Sequence, residues 1–334
     1  MATLLARLRY VVGALALALL VTLTGPVGAQ QPINPTASSV NEQKLLQELG
    51  RIQGRISIPD DRAAVLVQPD GRTWRAFHQV ALRWIGAIAI LGMLAILVAY
   101  YLWRGMIRIE GGRTGRTMVR FNAFERFAHW LTAITFVILA ISGLNITFGR
   151  PLLLPLLGPE AFTAWATWAK YAHNYLSFAF TIGILATFLM WVGNNTFDRV
   201  DLEWLKAGGG MIGKEHPPAH KFNAGQKILF WLVVLASIAV AVSGYLLMFP
   251  FYGTTILGMQ LAQALHAVVA LLFIALIIGH IYLGTIGMEG AFEAMGTGDV
   301  DLNWAKGHHS VWYEEEMARR AEPSHAQPVA TAAE

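Results

Sequence analysis

The stretch that decides the fold is Ala264 to Met288, which reads ALHAVVALLFIALIIGHIYLGTIGM. Its 25 residues include no Asp, Glu, Lys or Arg, and a helix of that length can cross a bilayer. His266 and His280 interrupt it, fourteen residues apart. At about 100° per residue both imidazoles face one side of the helix, separated by a rise of about 21 Å. Because an ionisable ring in hydrocarbon is costly and usually functional, the stretch predicts two cofactor sites at different depths.

The composition of the chain is that of a membrane protein. Of 334 residues, 55% are hydrophobic and 14% are charged, and the mean hydropathy is +0.48. No basic patch interleaved with aromatic residues occurs outside the apolar segments, which excludes nucleic-acid binding. The chain has no cysteine, so it forms no disulfide, ligates no iron–sulfur cluster and attaches no haem covalently.

The N-terminal region reads as a secretory signal followed by a polar segment. Residues 1–29 combine Arg7 and Arg9, an apolar run and a small-residue cleavage site at residues 27–29. The alternative is an uncleaved anchor helix. Residues 30–83 are polar and interrupted by prolines, and we interpret them as a periplasmic segment.

The apolar runs predict five spans in the mature chain, at residues 84–103, 129–148, 171–193, 228–249 and 264–288. Basic residues dominate the connections 104–128 and 194–227, so the positive-inside rule places them in the cytoplasm. The predicted protein is multi-pass in a bacterial inner membrane, with a periplasmic mature N-terminus and a cytoplasmic tail, residues 289–334. The predicted fold is all-α, a four-helix bundle over residues 104–288 plus one additional N-terminal transmembrane helix.

This topology sorts four intramembrane histidines into two pairs by depth. His173 and His266 lie toward the periplasm, and His129 and His280 toward the cytoplasm. Two bis-histidine b-type haems fit this arrangement, and a haem with both axial positions filled carries electrons rather than binding oxygen. A metal-transport path lined by histidine is the competing class, although such a path usually brings intramembrane carboxylates. A structural anchor, in which the histidines only pack, is a third interpretation.

Small residues and loop histidines carry weaker signals. Gly143 lies fourteen residues from His129, which places it at the level of the other haem. Further glycines that could make room for a macrocycle, or simply allow close helix packing, are Gly183, Gly244 and Gly279. The similarity of Ser142-Gly143-Leu144 to Ser243-Gly244-Tyr245 is too short to define a repeat. Two histidines of a cytoplasmic connection, His216 and His220, suit either proton entry or plain solvation.

Several motifs resemble the cytochrome b (gamma) subunit of membrane-bound formate dehydrogenase. The resemblance covers residues 105 to 313 and rests on FNAFERFAHW (121–130), AKYAH (169–173), KFNAGQK (221–227), the His266/His280 helix and a tail with Trp304-Ala305-Lys306, His308-His309 and Trp312-Tyr313. The signal, the periplasmic segment and the first span resemble the longer form of that subunit. The similarity therefore implies a four-helix dihaem cytochrome b bundle with one extra helix.

The resemblance also implies partners and a path for electrons. A molybdenum- or tungsten-containing catalytic (alpha) subunit oxidises formate, and an iron–sulfur (beta) subunit passes the electrons to the periplasmic haem of His173 and His266. They continue to the cytoplasmic haem of His129 and His280 and reduce a quinone, with protons taken from the cytoplasm. The formate chemistry would not occur in this chain, and a higher oligomer of the complex is left open.

The same resemblance assigns further residues. Asn223 and Gln226 match the quinone-site motif, and their amides suit a quinone carbonyl, although Asn223 could equally cap the fourth predicted span. Arg120, Arg126 and Lys227 would pair with propionates of the cytoplasmic haem. Cytochrome b subunits of hydrogenases and of thiosulfate or tetrathionate reductases share the four-helix histidine plan, so they are the alternative for the electron donor.

Overall fold

The computed structural model describes residues 70–211, 217–250 and 252–321, and five of its helices are long and apolar enough to cross a membrane. They are α1 (Gly71–Arg104), α2 (Ala123–Leu152), α3 (Leu154–Trp191), α5 (Ala224–Met248) and α6 (Ile256–Tyr282). A π-helical turn interrupts α1 at Phe77–Ala81, and another extends α6 over Leu283–Gly287. The predicted all-α membrane fold, with one helix preceding a set of four, is confirmed.

Short elements fill the connections and the tail. A 3₁₀ turn follows α3, and the remaining helices are α4 (Arg199–Lys206), α7 (Glu293–Gly296), α8 (Leu302–His308) and α9 (Ser310–Ala321). Strand β1 (Thr117–Val119) pairs antiparallel with β2 (Asp299–Asp301), with Met118 opposite Val300. The tail, which the sequence presents only as a polar extension, therefore folds against the connection that precedes α2.

The helices begin earlier than the predicted spans. α1 starts at Gly71 instead of Trp84, and α2 starts at Ala123, so that His129 lies in its second turn. The prediction followed uncharged runs, whereas a helix can continue past the hydrocarbon once its side chains reach polar surroundings. The prediction for these two N-terminal boundaries was therefore wrong.

The largest boundary error concerns α3, which starts at Leu154 and not at Tyr171. Its three neighbouring prolines suggested a loop. Gly158 adopts φ 76° and ψ 168°, which breaks the helix, and Pro159 then opens the following helical segment. Proline is well tolerated at that first helical position, because its missing N–H has no partner there in any helix.

Some predictions fall outside the described residues. These are the signal at 1–29, residues 30–69 of the proposed periplasmic segment, His216, and the end of the tail at 322–334.

The chain divides into two compact units, which are considered separately. The first contains Thr132–Thr181, Ala236–Gly279 and, of the preceding chain, the described residues 70–99. Within it, Gly86 of α1 lies so close to α2 and α6 that a Cβ atom there would be 2.9 Å from Phe148 and from Leu271. Aromatic rings also pack between α2 and α6, where the ring centres of Phe136 and Phe273 are 4.7 Å apart.

The second unit contains Tyr100–Leu131, Ile182–Leu235 and the chain from His280 onward. Its core is aromatic: Phe121, Trp191 and Phe222 contact one another with ring centres 5.4 to 5.8 Å apart. Trp304 of α8 and Trp312 of α9 are buried in the same cluster. The folded tail is thus part of the hydrophobic core of this unit.

One turn holds the tail to the start of α2. The carbonyl of Gly298 accepts the backbone N–H groups of Arg120 and Phe121, at 2.8 and 3.1 Å. Gly298 itself has φ +96°, and a Cβ atom there would lie 2.6 Å from the Phe121 carbonyl oxygen. A side chain at this position is therefore excluded both by backbone conformation and by space.

We expect Gly298→Ala to destabilise the chain by about 1–3 kcal/mol, because the substitution forces a strained conformation and moves the paired carbonyl. The measurement is the midpoint of thermal unfolding in detergent. Gly307→Ala is the matched control, since Gly307 lies in helix α8 with open space around its Cβ position. Equal midpoints for the two variants would contradict the role assigned to Gly298.

Candidate haem and quinone sites

The first histidine pair lies within the first unit. His173 comes from α3 and His266 from α6, and their ring centres are 6.1 Å apart with an angle of 73° between the planes. The helical segment containing His173 begins at Pro159, fourteen residues earlier, so the histidine lies well inside α3 and not at its start. The structure brings together the two residues that the sequence paired.

The second pair lies within the second unit. His129 of α2 and His280 of α6 have ring centres 6.2 Å apart and planes inclined at 64°. The indole of Trp130 meets the edge of His129 at 5.3 Å. The Nδ1 atom of His129 is buried, and among the described residues it has no hydrogen-bond partner.

Both spacings fit one iron atom between two imidazoles. A bond from a first-row metal to an imidazole nitrogen is about 2.0 Å long. In a five-membered ring with bonds near 1.33 Å, each atom lies about 1.1 Å from the centre. Two rings on opposite sides of one iron would therefore have centres about 6.2 Å apart, as both pairs do.

The first pair also has the outer hydrogen bonds that metal-binding histidines require. His266 Nδ1 lies 3.0 Å from the Val240 carbonyl oxygen, which can only accept, so this nitrogen carries the proton. His173 Nδ1 lies 2.9 Å from Ser142 Oγ. Such bonds fix the ring and leave Nε2 as the nitrogen that can bind a metal.

Two Ser-Gly pairs play the same role on two helices. Ser142 and Gly143 of α2 contact His173, and a Cβ atom on Gly143 would lie 3.4 Å from the ring. Ser243 and Gly244 of α5 contact His266, with a corresponding distance of 3.1 Å. The glycines admit the imidazole and the serines contact its Nδ1. Gly279, in contrast, contacts Met93 of α1, which is ordinary helix packing.

The two Ser-Gly pairs belong to a longer internal repeat. In both α2 and α5 the first helical residue is the alanine of a Phe-Asn-Ala sequence, and Glu-Arg or Gln-Lys begins two residues after that alanine. The serine of the Ser-Gly pair follows the asparagine at the same distance in each helix. The short similarity judged too weak in the sequence therefore marks two related helices. An alignment of the two helices over their whole length would have revealed this repeat from the sequence.

Each of these two helices starts with a capping box. In α2, Asn122 Oδ1 accepts the Glu125 N–H, and Glu125 Oε2 accepts the Asn122 N–H, both at 2.9 Å. In α5, Asn223 Oδ1 accepts the Gln226 N–H at 2.9 Å, and Gln226 Oε1 accepts the Asn223 N–H at 3.1 Å. The capping role considered for Asn223 is thus present in the structure. The amide N–H groups of both side chains are not used by the cap.

Basic residues connect the two helix starts reciprocally. Arg120 precedes α2 and its Nη2 donates to Gln226 Oε1 of α5, at 3.3 Å, and to the Lys221 carbonyl at 2.7 Å. Lys221 precedes α5 and its Nζ donates to Glu125 Oε1 of α2, at 2.8 Å. We call these two contacts the cross-brace. Sequence analysis missed Glu125 and Lys221, although the repeat places them in equivalent positions to Gln226 and Arg120.

Arg120 is held in an aromatic box. Its guanidinium carbon lies 4.8 Å from the ring centre of Trp304, 5.2 Å from Phe121 and 5.7 Å from Trp312. Burial lowers its pKa to about 9, against the opposing effect of Glu125, so the group keeps its charge at pH 7. A cation between aromatic faces is stabilised by their quadrupoles even where water is excluded.

The three basic residues predicted to contact propionates differ in their partners. Arg126 Nη1 donates to the Gly296 carbonyl at 2.8 Å. The Nε atoms of Arg120 and Arg126 are buried without a hydrogen-bond partner in the described residues. Lys227 instead forms an ion pair with Asp201 at 2.6 Å and lies 3.5 Å from Asp198. Two of the three therefore retain a donor that an anionic group could use.

A polar cavity of about 630 Å³ opens in the second unit. Its lining includes both members of the Lys221–Glu125 contact, together with Asp198, His220 and Lys227. His220 also accepts a hydrogen bond at its backbone carbonyl from Nδ1 of the buried His309, at 2.7 Å. Burial and the nearby Arg120 charge hold the pKa of His309 well below its usual range, so that ring is neutral.

Residues 120–298 match the family described as prokaryotic cytochrome b561. The chain belongs to this family of membrane cytochromes b, which implies b-type haem. The histidine spacings above are the geometry such a cofactor needs.

Relatives of the chain carry more specific names. The chain is 30% identical over 203 residues to the formate dehydrogenase cytochrome b556(fdo) subunit of Escherichia coli K12, covering 60% of this chain and 93% of that protein. It is 27% identical over 216 residues to the nitrate-inducible formate dehydrogenase cytochrome b556(Fdn) subunit of the same strain, covering 60% and 92%. A formate dehydrogenase cytochrome b556 subunit of Haemophilus influenzae is 27% identical over 223 residues, covering 65% and 90%.

We expect Lys227→Met to destabilise the chain by about 3–5 kcal/mol, because it leaves the buried Asp201 carboxylate without its cation. In Lys227→Met/Asp201→Asn both charges are gone, and the asparagine oxygen can still close the helix cap of α4. Thermal midpoints in detergent and the haem spectrum are measured for both variants. If the double variant is no more stable than Lys227→Met and binds no more haem, Lys227 acts on a group other than Asp201.

Proposed function

We propose that the chain is the membrane-anchoring cytochrome b subunit of a formate dehydrogenase, passing electrons through two b haems to a membrane quinone. The proposal rests on family membership, on relatives that are named as formate dehydrogenase cytochrome b subunits, and on two histidine pairs whose spacing suits one iron each. The histidine pairs are the observation that carries it. Family membership favours an electron carrier over a metal transporter.

In this proposal each pair of imidazoles would hold one haem. When bound, each haem supplies a one-electron couple. His173 and His266 hold the haem that receives electrons, and His129 and His280 hold the one that passes them on. Ser142 fixes the orientation of the His173 ring through its Nδ1 atom, and the Val240 carbonyl does the same for His266. Arg120 and Arg126 would neutralise propionates at the second haem.

The proposed orientation places the second unit on the cytoplasmic side. The unit contains the basic connections before α2 and before α5. It also contains the tail, whose strand β2 pairs with β1 in the first of these connections. The connection between α5 and α6 carries no charge. Positive residues are retained on the cytoplasmic side of inner membranes, so this distribution supports a cytoplasmic C-terminus and a periplasmic mature N-terminus.

The proposed partners are an iron–sulfur subunit, which would deliver the electrons, and a molybdenum- or tungsten-containing catalytic subunit. The chain has no cysteine to ligate a cluster, so the electrons must come from another chain. The proposed quinone site is the capping box of α5, where Asn223 and Gln226 keep amide N–H donors that could bind a quinone carbonyl.

A reduced-minus-oxidised spectrum and a haem-to-protein ratio test the haem part of the proposal. We expect two b haems per chain, with His173→Ala and His280→Ala each losing a different one, because each substitution removes an axial ligand from one pair only. In native membranes formate should reduce both haems, hydrogen should not, and thiosulfate or tetrathionate should not reoxidise them. A colourless chain, purified after expression with haem supply, would contradict the electron-carrier function and favour metal transport.

Asn223→Asp tests the quinone role separately from the cap. Aspartate caps a helix as well as asparagine does but offers no N–H group to a carbonyl. We expect quinone reduction to fall about tenfold, the size of one lost hydrogen bond of about 1.4 kcal/mol, with haem content unchanged. Asn303→Asp makes the same change at an asparagine of α8 that does not line the polar cavity, and it should leave the rate near the parent value. Equal rates in the two variants would contradict a quinone contact at Asn223.

A further inference from the structure

The polar cavity of the second unit connects solvent to a buried carboxylate. Among its lining residues, His220 lies 3.5 Å from an Asp198 oxygen and 3.3 Å from a Glu315 oxygen. The lining also includes Glu125, which is only 8% exposed. Titratable side chains that are partly exposed and one buried carboxylate therefore line the same cavity.

The carboxylate of Glu125 accepts hydrogen bonds from three donors. Lys221 Nζ and Trp191 Nε1 both donate to its Oε1 atom, at 2.8 and 2.9 Å, and the Asn122 N–H donates to Oε2. Arg120 adds a second positive charge nearby. These groups stabilise the carboxylate while it is ionised, and the positive charges facing it are those of Lys221 and Arg120.

The capping box alone does not require a carboxylate at this position. In the related helix α5 the equivalent residue is Gln226, and its amide oxygen accepts the cap N–H in the same way. A neutral amide is therefore sufficient for the cap within this same chain. The titratable group at Glu125 needs another explanation.

The position of Glu125 suggests that explanation. It precedes the haem-ligand candidate His129 by four residues, one helical turn with a rise of about 6 Å, so both face the same side of α2. The cross-brace joins it to the proposed quinone turn, since Lys221 reaches Glu125 and Arg120 contacts Gln226. Glu125 thus lines the cavity and is linked by the cross-brace to the residues proposed to handle quinone.

We propose that this cavity is the proton entrance for quinone reduction and that Glu125 transfers the protons from it. The proposal rests on the proposed function. A quinone that takes two electrons from the second haem must also take two protons to become a quinol, one on each oxygen. Negative charge on the reduced quinone draws a proton onto the Glu125 carboxylate, which passes it to a quinone oxygen and is protonated again through the cavity from water. His220, Asp198 and Glu315 collect protons at the entrance.

Glu125→Gln removes the titratable carboxyl and keeps one amide oxygen, which can accept either the cap N–H or the Trp191 and Lys221 donors, but not both sets. Haem content therefore serves as the check that the structure is retained. In membranes carrying the assembled complex, we expect the rate of quinone reduction, measured with a soluble short-chain quinone, to fall about tenfold or more. The haems should stay largely reduced during turnover, since electrons still arrive but cannot leave. Haem content and reduction by dithionite should match the parent. Glu125→Asp should restore much of the rate with a displaced pH profile.

Glu314→Gln is the control, an exposed carboxylate on α9 that does not line the cavity. A Glu125→Gln complex that retains its haems and reduces quinone at the parent rate would overturn the inference and leave the proposed function intact. If that variant loses haem, Glu125→Asp decides: a parent-like rate and pH profile count against the inference. A parent complex whose haems are reduced but which passes no electrons to quinone would overturn both.

Discussion

A buried imidazole nitrogen is costly inside a membrane helix bundle unless it has a hydrogen-bond partner, and the first histidine pair shows how neighbouring helices supply one. In the first unit the Nδ1 atoms of His173 and His266 are satisfied by Ser142 and by the Val240 carbonyl. This leaves Nε2 of each ring for iron, and the ring spacing of 6.1 Å suits one atom between them. The glycine that follows each serine lets the ring pack closely, since a Cβ atom there would lie 3.4 Å from His173 or 3.1 Å from His266. Two opposed imidazoles thus determine which residues their neighbouring helices can carry.

The internal repeat shows how one helical framework supports an asymmetric set of ligands. The related helices α2 and α5 keep the asparagine cap and the Ser-Gly pair, which position the chain and receive a histidine from the next helix. They differ two turns past the cap, where α2 has His129 and α5 has Phe230. As a result α6 supplies a histidine to both pairs, while α5 supplies none. The capping and packing positions are constrained by backbone geometry, and the ligand position was free to diverge.

Much of the fold and the histidine pairing could be predicted from the sequence, because hydropathy and helical spacing are local properties. The ends of α1 and α2 could not, since charged residues such as Arg75 and Glu125 continue a helix beyond the apolar run. The folded tail was also missed, because strand pairing between β1 and β2 joins segments far apart in the chain. For the same reason sequence reasoning gave Lys227 a haem propionate as partner, whereas the structure pairs it with Asp201.

The two units differ in the kinds of polar side chain that they bury. In the first unit every buried polar side chain among the described residues is neutral: Thr135, Ser142, Asn145, Ser237, Ser243 and Gln260. In the second unit most are ionisable, including Arg120, Glu125, Asp201 and Lys227. Buried ion pairs rarely add stability beyond what apolar packing would give, so stability alone does not account for them. A site that only passes electrons can be built from hydroxyls and carbonyls, whereas one that joins electrons to protons needs groups that change their charge. The distribution of buried charge therefore matches the division of work proposed for the two histidine pairs.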